Sequence, residues 1–147
     1  MKKILCITLI TFCVFLTACE NSREIIGGAD STTSVVVTDK GEKAMYEQIT
    51  ADVAKKIMDS EKDYIILDVR EQTEFDDGHI PGAILLPYTE IESKAEKVFP
   101  NKDKLILVYC RSGRRSKIAA ESLVKLGYTN VKEFGGIIDW PYEITKE

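Results

Sequence analysis

The chain has 147 residues, with 20 basic and 24 acidic side chains and a formal charge of −4 at pH 7. A mildly acidic balance of this kind provides no general attraction for nucleic acid, so basic side chains matter only where they cluster. The length suffices for one domain with one hydrophobic core, and the sequence contains no internal repeat.

Residues 1–18 have the pattern of an export signal. Lys2 and Lys3 precede an apolar stretch over residues 4–16, which is too short for a spanning helix of about 20 residues but suits a secretory core of about 7–15. The sequence LTAC at its end, with Cys19 as the last residue, resembles the bacterial lipobox, in which the cysteine is lipidated and becomes the first mature residue. An ordinary signal peptide cleaved nearby and an uncleaved membrane anchor are the alternatives.

Loss of this signal would change the number of free thiols. Cys6 and Cys13 would leave with it and Cys19 would carry lipid, so that Cys110 would be the one remaining thiol. An unpaired cysteine in an exported chain suggests a reactive thiol, and a buried inert cysteine is the alternative. We therefore expect an extracytoplasmic protein of the bacterial cell envelope, held at a membrane by its lipid.

The segment after the anchor has the composition of a linker. Residues 19–45 are rich in serine, threonine, glycine and charge, which predicts a flexible tether between the lipidated Cys19 and the domain. Residues 35–37 are three valines that would suit a short strand. The folded domain is predicted over residues 46–147.

Within the domain, predicted helices and strands alternate. Thr50 is a candidate N-cap for the first helix. The amphipathic helices are predicted at residues 53–58, 91–98 and 116–126. The strands are predicted at residues 64–67, 83–86, 105–109 and 131–134. This order is typical of an α/β domain with a mostly parallel sheet, whose working site lies at the carboxyl ends of the strands.

A basic loop follows the apolar run at residues 105–109. Cys110 ends that run, and Gly113 lets the loop curl without a Cβ in the way. Arg111, Arg114 and Arg115 add positive charge, while a helix N-terminus and free N–H groups also favour an anion. We therefore expect the Cys110 thiol to ionise more readily than a free cysteine, whose pKa is about 8.5.

Several motifs resemble those of a single rhodanese (thiosulfate sulfurtransferase) domain over residues 46–147, and they occur in the order and spacing of that family. They are Asp68-Val69-Arg70, Glu74-Phe75, Gly78-His79-Ile80-Pro81-Gly82-Ala83, the stretch from Cys110 to Ser116, and Gly135-Gly136 with Trp140. The resemblance implies a rhodanese-like α/β fold, with a five-stranded parallel sheet and helices on both faces. It also implies a sulfurtransferase that needs no metal or organic cofactor.

The resemblance further implies a two-step reaction. Cys110 attacks the outer sulfur of thiosulfate or a similar small sulfur-containing anion, sulfite leaves, and a persulfide remains. Cyanide, a thiol or a protein acceptor then takes the sulfur. Arg115 is expected most directly over the anion, and Arg111 second. The N–H groups expected to cradle the terminal sulfur belong to Arg111, Ser112, Gly113, Arg114, Arg115 and Ser116.

Two other activities are compatible with a cysteine in a basic loop. A cysteine phosphatase needs five residues between its cysteine and its arginine, and that position here is Ser116, with Arg115 one residue early. The shorter loop belongs, by resemblance, to sulfurtransferases. The second alternative is a module that binds sulfur or polysulfide and hands it on without turnover, and an inactive scaffold is a third.

The residues that support the loop are predicted from their positions. Asp68 ends a strand, where it would orient an arginine or cap the following turn, and Arg70 and Glu74 are predicted to form an ion pair that holds this turn. His79 is the single histidine, and its place in a turn favours a structural role over catalysis. One histidine and one free thiol are too few for a tetrahedral zinc site. Trp140 is expected in the core or at the rim of the pocket.

Overall fold

The apolar runs of the sequence become the central strands of one mixed sheet. The computed structural model describes residues 34–35 and 46–146. The strands are β1 (Ser34–Val35), β2 (Glu47–Gln48), β3 (Tyr64–Asp68), β4 (Ala83–Leu85), β5 (Leu105–Cys110) and β6 (Val131–Gly136). Their order in the sheet is β1-β2-β6-β5-β3-β4. β2 to β6 all pair in parallel, which confirms the five-stranded parallel sheet, and the short β1 is added antiparallel at the edge of β2.

Helices cover both faces of this sheet, as expected. The α-helices are α1 (Ala51–Ser60), α2 (Gln72–Asp76), α3 (Ile91–Val98) and α4 (Arg114–Lys125). Alternate residues of β5 pack in opposite directions: Leu107 and Tyr109 join the apolar cluster under α1, whereas Ile106, Val108 and Cys110 join the cluster under α3 and α4. The sheet is therefore buried on both sides, which explains why its strands read as continuous apolar runs.

The helix ends follow local chemistry. The Thr50 side chain accepts the Val53 N–H, which confirms it as the N-cap of α1. α4 begins two residues earlier than predicted, because Gly113 adopts a φ of 94° and turns the chain from the loop directly into the helix. In α3, Val98 is exposed and Phe99 is buried, so the apolar face runs one residue further than its predicted end.

Cys110 occupies the end of a central strand. β5 lies between β3 and β6, and Cys110 is its last residue, at the carboxyl edge of the parallel sheet. The register with β6 shifts between Val108 and Cys110, so that Cys110 lies opposite Gly136. This irregularity brings the end of β6 against the loop that follows Cys110.

The predictions for the export signal and for Cys19 concern residues outside those that the structure describes. Of the predicted linker, the structure describes Ser34 and Val35, which form β1. This strand begins one residue before the three-valine run and includes its first valine. Across residues 34–35 and 46–146, no helix combines the length and the apolar character needed to span a membrane.

Candidate active site

The Cys110 side chain is held at the mouth of a very short loop. Arg111, Ser112 and Gly113 are the three residues between the end of β5 and the start of α4. Cys110 is 1% exposed, and the Gly113 N–H donates to its Sγ at 3.1 Å. The thiol therefore faces the N-terminus of a twelve-residue helix, where the helix dipole and free N–H groups favour negative charge.

A buried serine and a buried glutamate lie behind the thiol. The Ser116 Oγ is 3.5 Å from Cys110 Sγ and 2.6 Å from Glu133 Oε1, and it is 3.0 Å from the Gly113 carbonyl oxygen. Glu133 is 2% exposed and also accepts the Gly135 N–H at 2.9 Å. Cys110, Ser116 and Glu133 thus form one hydrogen-bonded chain that runs from the loop into the interior.

The environment favours the thiolate on balance. Burial disfavours the charged form, but hydrogen bonds from Ser116, Ser112 and Gly113 outweigh it, so the pKa of Cys110 lies below its ordinary value. The direction agrees with the expectation drawn from the sequence. A lower pKa increases the fraction of the cysteine that is present as thiolate, the nucleophilic form, at a given pH.

The three arginines of the loop have different surroundings. Arg111 and Arg114 are exposed, and Arg115 is half-buried. Both terminal nitrogens of Arg115 bond Glu74, which raises the pKa of Arg115, and the Cys110 charge adds to this. The placement of Arg115 over a bound anion, with Arg111 second, stays a prediction, as do the substrate contacts of the other loop residues.

Of the two supporting carboxylates, Glu74 has another partner than expected and Asp68 has the roles considered for it. Arg70 forms a forked pair with Asp68, at 2.9 Å from Nε and 2.6 Å from Nη2, and Nη2 also donates to the Gly78 carbonyl oxygen. The predicted Arg70–Glu74 ion pair is therefore wrong, since Glu74 pairs with Arg115. Asp68 combines both roles considered for it, because it orients Arg70 and accepts the Arg70 N–H in the turn.

His79 and Trp140 are structural. His79 is buried, stacks on Phe75 with ring centroids 3.7 Å apart, and places Nδ1 2.9 Å from the Phe75 carbonyl oxygen. Its backbone also pairs with Thr145. Trp140 is buried against Phe134, so it belongs to the core rather than to the rim of the loop. No three His, Cys, Asp or Glu side chains among the described residues converge as metal ligands would.

Two site residues had no role assigned from the sequence. Glu133 is the first. On β6 it lies on the same buried face as Val131, and Lys132 lies on the other face. A charged residue on a buried strand face was the signal in the sequence that could have pointed to Glu133. Gly136 is the second, because a Cβ there would lie 2.2 Å from the Arg111 carbonyl oxygen. The loop can therefore pack against β6 only with glycine at this position.

A thiol at the carboxyl end of a central parallel strand, in front of a helix N-terminus, defines an α/β domain with a candidate cysteine site. The rhodanese-like domain model matches residues 50–141, and the chain belongs to this family. The match contains Asp68, the Cys110 loop and Gly136.

Several relatives have the same domain. The putative sulfur carrier protein YrkF of Bacillus subtilis is 37% identical over 94 residues, which are 63% of this chain and 50% of that protein. The thiosulfate sulfurtransferase PspE of Escherichia coli is 37% identical over 73 residues, which are 50% of this chain and 70% of that protein. The match thus spans half the length of the first of these relatives.

Solved structures agree with the fold. A rhodanese-like domain protein from Staphylococcus aureus is 32% identical with a TM-score of 0.61, and the match covers 68% of this chain and 97% of that one. A rhodanese with anions from E. coli is 33% identical with a TM-score of 0.54, covering 57% of this chain and 99% of that one.

Proposed function

We propose that this protein is a sulfurtransferase that moves sulfane sulfur from thiosulfate, or a similar small anion, to a thiophilic acceptor through a persulfide on Cys110. The observation that carries the proposal is the Gly113 N–H directed at the Cys110 Sγ in front of α4. The similarity to a protein named as a thiosulfate sulfurtransferase supports the choice of donor. No metal or organic cofactor is required for this chemistry.

The proposed reaction has two balanced steps. The Cys110 thiolate attacks the outer sulfur of thiosulfate, a new S–S bond forms, and sulfite leaves with the electron pair of the broken S–S bond. Cyanide or a thiolate then attacks the outer sulfur of the persulfide, and Cys110 leaves as the thiolate. Free N–H groups of the loop stabilise the charge on the terminal sulfur.

The loop geometry favours sulfur over phosphate as the transferred group. Three residues separate Cys110 from the start of α4, and Arg115 is already within the first turn of that helix. A phosphoryl group needs a longer loop to surround its oxygens.

Intact mass of a single-thiol chain tests the proposal. We define this as the full chain carrying Cys6→Ser, Cys13→Ser and Cys19→Ser, which leaves Cys110 as its one thiol. Incubation with thiosulfate should add the mass of one sulfur atom, and cyanide should remove it. The matched variant that also carries Cys110→Ser should gain nothing. A gain in that variant, or no gain from thiosulfate and polysulfide in the single-thiol chain, would overturn the assignment.

A sulfur carrier without catalytic turnover is the second candidate, and the similarity to the protein named as a putative sulfur carrier favours it. Both candidates require persulfide on Cys110, so mass alone does not separate them. The steady-state rate of thiocyanate formation from thiosulfate and cyanide does. Sustained turnover identifies the enzyme, whereas one equivalent of sulfur per chain identifies the carrier.

We further propose that residues 1–18 are a lipoprotein signal peptide and that lipid on Cys19 tethers the domain outside the cytoplasm through the linker of residues 19–45. The pattern of the first 19 residues supports this proposal. Radiolabelled palmitate should label the chain in a bacterial host and should not label the Cys19→Ala variant. Labelling that persists in that variant would overturn the proposal.

A further inference from the structure

The Ser116 hydroxyl has more acceptors than it can serve. It carries one proton, and its Oγ lies 2.6 Å from Glu133 Oε1, 3.0 Å from the Gly113 carbonyl oxygen and 3.5 Å from Cys110 Sγ. The shorter contact joins the hydroxyl to a carboxylate, which makes it a strong charge-assisted hydrogen bond. While Cys110 is a thiol, the arrangement is consistent, because the S–H donates to Ser116 and Ser116 donates to Glu133.

Loss of the thiol proton creates a conflict. The thiolate then needs the Ser116 proton, and Glu133 competes for it from the shorter distance. Glu133 is 2% exposed, so water cannot replace the serine as its donor without disturbing the interior. Among the described residues, its other donors are the Gly135 N–H and the Gln48 amide, at 2.9 Å and 3.3 Å. Two anions therefore share a single hydroxyl proton.

We propose that Glu133 is a positioning residue that holds the Ser116 hydroxyl proton away from Cys110, so that the site favours the persulfide over the free thiolate. This inference rests on the proposed function for its second half. In the persulfide, the charge lies on the outer sulfur, about 2.05 Å from Cys110 Sγ. Ser116 and Glu133 occupy the inner side of Cys110, so the outer sulfur lies on the side away from them. Glu133 therefore destabilises the unloaded thiolate more than the loaded form.

The other charged groups around this pair do not replace Glu133. Arg115, at the start of α4, attracts the Cys110 charge, but its guanidinium is fixed by Glu74. Tyr46, which precedes β2, is kept neutral: burial raises its pKa to about 12, with Glu121 and Glu133 adding to the effect. On the opposite face of the sheet, Asp68 and Arg70 pair with each other beside Tyr109. Only Glu133 among these groups bonds the hydroxyl that faces the thiol.

Glu133→Gln in the single-thiol chain is the first test. Glu133→Gln removes the charged acceptor, so the thiolate then competes for the Ser116 proton with the neutral Gly113 carbonyl oxygen, and the thiol pKa should fall by about one unit. At alkaline pH, where the thiol is fully ionised, the ratio of persulfide to thiolate at a fixed ratio of thiosulfate to sulfite should also fall severalfold. Glu133→Asp keeps the charge and should keep the thiol pKa near that of the parent chain. The pH dependence of iodoacetamide alkylation gives the thiol pKa, and intact mass gives the loading ratio.

Glu121→Gln is the matched control. Glu121 carries the same charge and also acts on Tyr46, but the described hydrogen bonds of the Ser116 hydroxyl go to other groups, Glu133 among them. Its substitution should leave the thiol pKa within a few tenths of a unit. An equal fall in this control would mean that any nearby carboxylate has the effect, and would overturn the specific role of Glu133.

Ser116→Ala is the second test, and its arm with Glu133 in place does not depend on the folding of Glu133→Gln. With Glu133 in place, competition for the hydroxyl proton weakens the hydrogen bond from Ser116 to the thiolate, so Ser116→Ala should raise the thiol pKa by about half a unit or less. In the Glu133→Gln background, the same change should raise it by about one unit, because the freed proton is then lost. A rise of a full unit with Glu133 in place, or an unchanged thiol pKa in Glu133→Gln, would overturn the inference. The thiol pKa is measured without sulfur, so a chain that never forms persulfide refutes the proposed function separately.

Discussion

Arg115 and Glu74 meet through two parallel hydrogen bonds, with Nη1 2.6 Å from Oε2 and Nη2 2.7 Å from Oε1, across 41 residues of sequence. The two side chains are only 17% and 28% exposed. A forked pair of this kind fixes the plane of the guanidinium as well as its position. The pair ties α2 to the first turn of α4 and keeps a positive charge beside Cys110.

The first prediction concerns the pH dependence of this pair. The hydrogen bond from Arg115 lowers the pKa of Glu74 to about 2. A carboxyl whose pKa is lower in the folded state stabilises the fold above its unfolded pKa, and that stability is lost as the pH falls towards the folded value. Glu74→Gln should therefore lower the free energy of unfolding by about 1–2 kcal/mol at pH 7 and by about half as much at pH 3.

Urea unfolding at the two pH values measures the effect of Glu74→Gln. Glu90→Gln is the control, because Glu90 pairs with Lys94 one helical turn away and both side chains are well exposed. Its loss should cost less than about 0.5 kcal/mol at either pH. A Glu74→Gln deficit of the same size at pH 7 and pH 3 would contradict the assigned pKa direction.

The second prediction concerns the charge of Arg115. Removal of a cation that attracts the Cys110 thiolate should raise the thiol pKa, and we expect a rise of about 0.5–1 unit in Arg115→Met. Arg114→Met removes an equal charge from an exposed side chain and should have a smaller effect. The pH dependence of alkylation measures both. Arg115→Met leaves the Glu74 carboxylate without its arginine, so the double variant Arg115→Met/Glu74→Gln removes that charge as well. A thiol pKa below the parent value in the double variant would refute the role of Arg115.

The sequence was sufficient for the frame of the site but not for its side-chain pairs. A continuous apolar run ending in Cys110 predicts a buried strand with the thiol at its carboxyl end, and the structure has that arrangement. The predicted pairing of Arg70 with Glu74 joined two opposite charges that are four residues apart, and it is wrong. Arg70 instead pairs with Asp68, two residues away, because both side chains are buried together, and Glu74 reaches Arg115 only through tertiary packing.

Glu133 illustrates a signal that could be seen but not interpreted. It lies two residues from Val131 on a strand, which places both on the buried face. A charged residue at such a position indicates a buried partner. The partner, Ser116, lies 17 residues earlier on α4, and no local pattern connects the two. Only the packing of α4 on β6 identifies the chain that leads to Cys110.

The third prediction tests the close approach of the loop to β6. Gly136 has an ordinary extended backbone, but a Cβ there would lie 2.2 Å from the Arg111 carbonyl oxygen and 2.5 Å from the Ser112 Cα. Backbone atoms cannot move aside as a flexible side chain can, so Gly136→Ala should displace the loop. We expect a loss of about 2–3 kcal/mol in urea unfolding and a large loss of persulfide loading.

Gly82→Ala separates this steric effect from backbone strain. Gly82 has a φ of 79°, and a Cβ there would meet nothing within 4 Å. Its replacement should cost about 1–2 kcal/mol through strain alone and leave persulfide loading intact. Equal loading in Gly136→Ala and Gly82→Ala would show that the contact with Arg111 does not shape the loop.

The fourth prediction concerns the buried Asp68–Arg70 pair. Asp68 is 0% exposed and Arg70 is 5% exposed. Their attraction, with hydrogen bonds from Arg70 to Asp68 and to the Gly78 carbonyl oxygen, offsets the loss of hydration of both charges. Asp68→Asn removes one charge and leaves the guanidinium uncompensated in the interior. We expect a loss of about 3–5 kcal/mol in the free energy of unfolding, measured in urea at pH 7.

The double variant Asp68→Asn/Arg70→Met identifies the cause of this loss. If the cost arises from an unpaired buried cation, removal of the arginine as well should recover most of the stability, because a buried ion pair adds little over apolar packing of similar volume. If the double variant is less stable than Asp68→Asn, the remaining Arg70 contact with Gly78 contributes more than the charge costs. A single-variant loss below about 1 kcal/mol would show that water reaches Arg70 and that the pair does not support the turn beside the active loop.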